Sequence, residues 1–137
     1  MTRRILPIVE GHGEIDAIPL LLRKMLIRRS IADVTVLRGH RRGEWPKVKR
    51  DFERFYKAAL NECDRLIWIM DYDCDDCRDP IADASWVVER ARLLDRRGAV
   101  TAAFLVMEFE SLFLWDKRAL TRVFGDVVAR QALPDNP

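Results

Sequence analysis

The sequence contains few of the residues that build disulfide frameworks, and it has no long apolar run. Three cysteines among 137 residues exclude the even-numbered framework of a secreted disulfide scaffold and are typical of a reducing cytoplasm. The longest stretch without a charge, 98–107, has ten residues, against the ~20 that a membrane-spanning helix needs. The basic N-terminus meets Glu10 too early for a signal peptide. We therefore expect one cytoplasmic domain over residues 1–137, with no membrane segment.

An excess of one charge sign is also missing. Lys and Arg number 24 and Asp and Glu 22, a net charge of +2, which excludes a polycationic or an acidic disordered chain. Hydrophobic residues make up 49%, enough to build a core. The sequence lacks the Gly-Lys-Ser/Thr ending of a phosphate-binding P-loop, and it has no GxSxG or HExxH motif.

Short apolar runs alternate with amphipathic stretches along the chain. The runs predict strands at 5–9, 34–37, 66–70 and 100–107, and apolar spacings of three and four predict helices after each of them. The first helix should begin near Ile18, because proline is tolerated only in the first turn of a helix and the next residue is Pro19. This order predicts an α/β fold: a Rossmann-like, mostly parallel sheet of about four strands with helices on both faces.

Acidic residues follow three of the predicted strands. Glu10 and Glu14 follow the first, Asp71 and Asp73 the third, and Glu108 and Glu110 the fourth. If the first and third strands are neighbours, their carboxylates meet at the edge of the sheet where such folds bind ligands. Carboxylates this close repel one another unless a cation lies among them, and their hard oxygens suit Mg²⁺ or Mn²⁺.

These acids lie in motifs that resemble a known domain. Residues 8–14, IVEGHGE, followed by residues 68–73, WIMDYD, resemble the Toprim domain, which is shared by topoisomerases, primases and overcoming-lysogenization-defect (OLD) nucleases. The chain is most similar to small stand-alone Toprim-like proteins of uncharacterised function, which share the motif FESLFLWD at 109–116. The resemblance covers roughly residues 4–116.

The resemblance implies roles for the acids. Glu10 would be the general acid/base or a metal ligand, and Asp71 and Asp73 would hold the divalent cation. Glu14 and either Glu108 or Glu110 would complete the ligand set. A later basic residue of the OLD nucleases has no clear counterpart, and Lys117 and Arg118 are the nearest. The chain ends soon after the last predicted helix, which leaves room for a family C-terminal portion outside these residues.

A basic segment follows the second predicted strand. Residues 38–50 carry six Lys or Arg against one acid. We expect the cations to attract a phosphate backbone and Trp45 to stack on an exposed base; the alternative is a solvated loop with Trp45 packed on the body. The predicted nucleic-acid contacts are Arg41, Arg42, Lys47 and Lys49.

Two further features have plainer interpretations. Cys74 and Cys77 have CxxC spacing, but no recognisable second ligand pair for zinc and no thioredoxin-like context accompany them. Incidental thiols are therefore expected, with partial zinc binding or oxidation as the alternatives. His12 lies between two glycines and is interpreted as a turn residue, with a metal or phosphate contact as the alternative.

Together these features predict a Toprim-like, Mg²⁺-dependent nuclease or nicking domain that acts on DNA or RNA, of which DNA is the expected substrate. The resemblance suggests bacterial DNA processing or mobile-element defence, beside an ATPase partner. The alternatives are a metal-dependent phosphatase or phosphotransferase with Asp71 as nucleophile, and a non-catalytic module that needs a partner chain. The aromatic stripe at 109–115 would cover the sheet or form a homodimer surface.

Overall fold

A computed structural model describes residues 2–75, 77–95, 99–106, 118 and 122. Strands and helices alternate along most of this part of the chain. The elements are β1 (Arg3–Val9), α1 (Glu14–Arg28), β2 (Val34–Val36), β3 (His40–Arg41), α2 (Trp45–Leu60), β4 (Arg65–Tyr72), α3 (Pro80–Leu94) and β5 (Val100–Val106).

The strands form one open parallel sheet. Its order is β2-β1-β4-β5, and β3 pairs with β1 beyond the end of β2. The predicted α/β fold is confirmed, and so is the adjacency of the first and third predicted strands, which are β1 and β4. Strand β3 was not predicted from the sequence, because two residues are too few to show a periodicity.

Helices pack on both faces of the sheet. Leu6, Trp68 and Met70 face α2 and α3 and form the larger core cluster. Val9 faces the other way and packs with Ile18 of α1. The alternation of side chains along each strand accounts for this division. Among the described residues, no helix is long and apolar enough to cross a membrane.

Helix α1 begins at Glu14, so the predicted start near Ile18 is wrong. Pro19 lies inside the helix and is buried. Proline has no N–H to donate to the carbonyl four residues earlier, which here belongs to Ile15. The backbone N–H of Gly39 donates to this oxygen instead, at 3.1 Å. A contact from the segment after β2 therefore replaces the helical hydrogen bond that Pro19 cannot form.

Strand β4 is longer than predicted. It was expected to end at Met70, but it continues through Asp71 to Tyr72, and these last residues pair in register with Leu105 and Val106 of β5. Asp71 is thus fixed by a strand, and Asp73 is the first residue beyond it.

Candidate functional site

Three acids predicted from the sequence lie at the carboxyl edge of the sheet. Glu10 directly follows β1, two residues beyond Ile8, which pairs with Trp68 of β4. Asp71 lies three residues after Trp68, and its backbone pairs with β5 on the other side. Glu10 therefore lies opposite the end of β4, next to the Asp71–Asp73 pair.

The ionisation of Glu10 reflects this arrangement. Partial burial raises its pKa to about 7, and the charges of Asp71, Asp73, Glu14 and Glu44 add to the shift in that order. A carboxyl group ordinarily titrates near 4.5, so Glu10 is poised to accept or release a proton near neutral pH. Such a pKa suits a general acid or base.

Glu14 both raises the pKa of Glu10 through its charge and holds the turn between β1 and α1. Its carboxylate accepts a hydrogen bond from the backbone N–H of Gly11. A Cβ atom at Gly11 would lie 2.7 Å from Glu14 Oε2, so a larger residue there would displace the end of the Glu14 side chain. A carboxylate in the first turn of a helix is also favoured by the helix dipole.

The acids lie near one another but not in the geometry of a ligand shell. Within the described residues, no three side chains of the metal-ligating types are close enough together to hold one ion. A cation would have to draw Glu10, Asp71 and Asp73 closer. The other predicted ligands, Glu108 and Glu110, lie outside the described residues, as do Lys117 and the aromatic stripe at 109–115.

The basic segment begins beside the same acids. Because β3 pairs with the end of β1, Arg41 is in register with Val9, and the Arg42 N–H donates to the Val9 carbonyl at 2.9 Å. The side chains of Arg41 and Lys47 are exposed. These two of the four predicted contacts are the more accessible to a polyanion.

The other two predicted contacts are engaged within the protein. The Arg42 guanidinium lies over the ring of Phe55, 4.7 Å from its centroid, and its Nη2 is 3.5 Å from His40 Nδ1. Lys49 Nζ is 2.7 Å from Asp83 Oδ1. A phosphate would have to compete with these partners.

The predicted base-stacking role of Trp45 is wrong. Its side chain is 3% exposed, and its ring meets the edges of Trp86 and Phe104 at centroid distances of 5.9 and 4.8 Å. The ring cannot stack on a base from inside the core. Trp45 begins α2, and its side chain faces α3 and β5.

Asp83 connects three elements near this edge of the sheet, and its role was not predicted from the sequence. Its carboxylate accepts hydrogen bonds from Trp45 Nε1, Lys49 Nζ and Tyr72 Oη. Burial opposes its ionisation, but these hydrogen bonds outweigh burial and lower the pKa of Asp83. Asp83 lies four residues before Val87 and eight before Ala91, both of them buried. This helical spacing was the available signal, because it puts an acid on the buried stripe of α3.

The cysteine pair also differs from expectation. Cys74 and Cys77 were expected as incidental thiols, with zinc binding or oxidation as the alternatives, and the structure joins them in a disulfide, with Cα atoms 5.1 Å apart. The bridge spans the loop that directly follows Asp73. The third cysteine, Cys63, is free and buried, and His12 is an exposed turn residue.

Comparison with known proteins identifies a family. Residues 9–136 match a family model described as a domain of unknown function, DUF4276. The chain belongs to this family. Every acid and every base assigned to the site lies within the matched range. No curated protein and no solved structure matches the chain. The family carries no assigned activity, so the Toprim resemblance stays a prediction.

Proposed function

We propose that the protein is a Toprim-like, metal-dependent phosphodiester hydrolase that nicks or cleaves nucleic acid. The observation that carries the proposal is the pKa of about 7 at Glu10, caused by partial burial and by neighbouring carboxylates at the ends of two adjacent strands. Crowded acids of this kind are typical of sites that hold a cation or transfer protons.

The chemistry of the donors fits Mg²⁺ or Mn²⁺. Glu10, Asp71 and Asp73 offer only hard carboxylate oxygens, which these ions prefer. A cation bound there would neutralise developing negative charge on the phosphate and lower the pKa of bound water. The residues of the chain would hold the phosphate in place and move a proton at Glu10.

The position of the exposed cations supports a nucleic-acid substrate. Arg41 and Lys47 lie on β3 and at the start of α2, and β3 pairs with the end of β1 that leads to Glu10. A phosphate backbone held there would run past the acids. We propose DNA as the substrate, in bacterial DNA processing or mobile-element defence beside an ATPase partner, as the Toprim resemblance suggests. The cytoplasmic location expected from the sequence belongs to the same proposal.

Nicking of supercoiled plasmid in Mn²⁺ or Mg²⁺ tests the proposal. The wild-type protein is expected to convert supercoiled to open-circular DNA. Glu10→Gln and Asp71→Asn should each lose on the order of 100-fold or more in rate, as expected for a general acid/base and its charged neighbour. Asp75→Asn is the matched control, since Asp75 is an exposed acid of the loop that follows β4 and is not among the charges that raise the pKa of Glu10.

Two outcomes would contradict the proposal. The first is an inactive wild-type protein in which calorimetry detects no Mn²⁺ binding. The second is release of phosphate from p-nitrophenyl phosphate that is lost in Asp71→Asn, with no nicking of the plasmid. That result would favour the phosphatase alternative with Asp71 as nucleophile.

A further inference from the structure

A cluster of four side chains from three elements lies beside the end of β4 that carries Asp71. Asp83 of α3 accepts hydrogen bonds from Tyr72 Oη at 2.7 Å, from Lys49 Nζ at 2.7 Å and from Trp45 Nε1 at 2.9 Å. These donors belong to β4 and α2. We call Trp45, Lys49, Tyr72 and Asp83 the Asp83 cluster.

The cluster runs from the core to the surface. Tyr72 and Trp45 are buried, the Asp83 side chain is 16% exposed and the Lys49 side chain is 41% exposed. The Lys49 ammonium lies 5.7 and 5.2 Å from the ring centroids of Trp45 and Trp86, where aromatic faces attract a cation. Three hydrogen bonds to one carboxylate, two of them from buried rings, hold the cluster in one geometry.

Tyr72 connects this cluster to the acids. It lies between Asp71 and Asp73, and side chains alternate along a strand, so its ring enters the core shared with α2 and α3. Its hydroxyl donates to Asp83 and also accepts the backbone N–H of Asp79 at 3.0 Å. The strand end is therefore held from the side opposite to the carboxylates.

The hold extends to the start of α3. Asp79 caps this helix, accepting the N–H groups of Ile81 and Ala82, and its backbone N–H is the one bound by Tyr72. Tyr72 therefore precedes the loop 73–79 and, through its hydroxyl, also holds the last residue of that loop. Rotation of the strand end about its axis would break these hydrogen bonds and re-aim Asp71 and Asp73 together.

We propose that Tyr72, Asp83 and Lys49 are positioning residues that fix the aim of Asp71 and Asp73 toward a divalent cation. This inference rests on the proposed function, because it assumes that the acids bind the ion. It also reassigns Lys49, which acts inside the protein rather than on a phosphate backbone.

Mn²⁺ affinity, measured by calorimetry on the full chain, tests the inference. Tyr72→Phe removes one hydroxyl and no charge, and it is expected to raise the Kd for Mn²⁺ about tenfold, within the range typical of outer-shell partners. Tyr56→Phe is the matched control, because Tyr56 is buried in the same core about three turns along α2 from Trp45. It should leave the Kd unchanged, whatever it does to the Tm of the metal-free protein.

Lys49→Met separates positioning from simple electrostatics. Loss of a cation near the acids would tighten Mn²⁺ binding if only the field mattered. Positioning predicts the opposite, a several-fold weaker affinity, because Asp83 loses its ion pair and no longer holds Tyr72 in one place.

The outcomes distinguish this inference from the proposed function. A wild-type protein that binds no Mn²⁺ overturns the proposed function and, with it, the positioning role. A wild-type protein that binds Mn²⁺, with Tyr72→Phe binding equally well, overturns the positioning role alone. Tighter binding by Lys49→Met would also overturn it.

Discussion

At the scale of single residues, the fold opposes ionisation of Glu10. Its folded pKa is about 7 against an ordinary 4.5, so the folded protein binds more protons than the unfolded chain between these values. The contribution of protonated Glu10 to the free energy of unfolding is fully present below about pH 4.5 and is lost as the pH rises through 7. Glu10→Gln should therefore leave stability unchanged near pH 4.5 and raise it above pH 7, by about 1–2 kcal/mol after allowance for solvent screening.

Urea unfolding of wild type and Glu10→Gln at pH 4.5, 6 and 8, without divalent cations, measures this difference. Glu53→Gln provides a control of opposite sign. The hydrogen bond from Lys57 lowers the pKa of Glu53, so that substitution should destabilise slightly at pH 8. A Glu10→Gln effect that is the same at all three pH values would refute the interpretation.

Strand ends made Glu10, Asp71 and Asp73 predictable from the sequence, because the side chains that follow buried runs must meet at one edge of a parallel sheet. Trp45 was not predictable in the same way. Its basic neighbours suggested an exposed loop, but Trp45 is the first residue of α2 and is followed by a proline in the first turn, and its ring lies in the core. The role of Asp83 depends on contacts between residues 11 to 38 positions apart, which local sequence cannot show.

At the scale of elements, α1 depends on one glycine outside itself. A Cβ atom at Gly39 would lie 2.9 Å from the Ile15 oxygen and 3.1 Å from Ile15 Cα, both backbone atoms that cannot swing away. Gly39→Ala should push α1 from β2 and break the Gly39–Ile15 hydrogen bond, and Pro19 cannot replace that donor. We expect a loss of about 1–3 kcal/mol in the free energy of unfolding, measured with urea.

Gly13→Ala is the matched control for this prediction. Gly13 has a φ of −64°, and a Cβ there would meet nothing within 4 Å. Stability should change by less than about 0.5 kcal/mol. If Gly39→Ala proves equally mild, the close approach of the two elements does not limit the position of α1.

The order of the elements could be predicted from the hydrophobic runs, but the residues at which the elements begin and end could not. The apolar runs predicted the strands β1, β2, β4 and β5, because a strand that is buried in a sheet consists largely of apolar residues. The start of α1 was wrong because a distant glycine supplies the donor that Pro19 lacks. Such compensation by another segment is a tertiary contact, and no local pattern encodes it.

At the scale of the whole molecule, a net charge of only +2 conceals charges of opposite sign that occupy different parts of one edge. The acids follow β1 and end β4, whereas exposed Arg41 and Lys47 lie on β3 and α2. A polyanion approaching this edge would contact the cations and be repelled by the acids unless a metal ion neutralised them.

The binding of a short DNA duplex in EDTA, followed across salt concentrations, tests this arrangement. Removing a cation that pairs with one phosphate should reduce the slope of log K against log salt by ~0.9. The double variant Arg41→Ala/Lys47→Ala should therefore lower the slope by about 1.8 and weaken binding at low salt. Lys24→Ala/Arg28→Ala removes two exposed cations from α1 with the same change in net charge and should keep the wild-type slope. Equally weakened binding in both double variants would mean that net charge alone drives binding, and the segment around β3 would then have no special role in holding DNA beside Glu10.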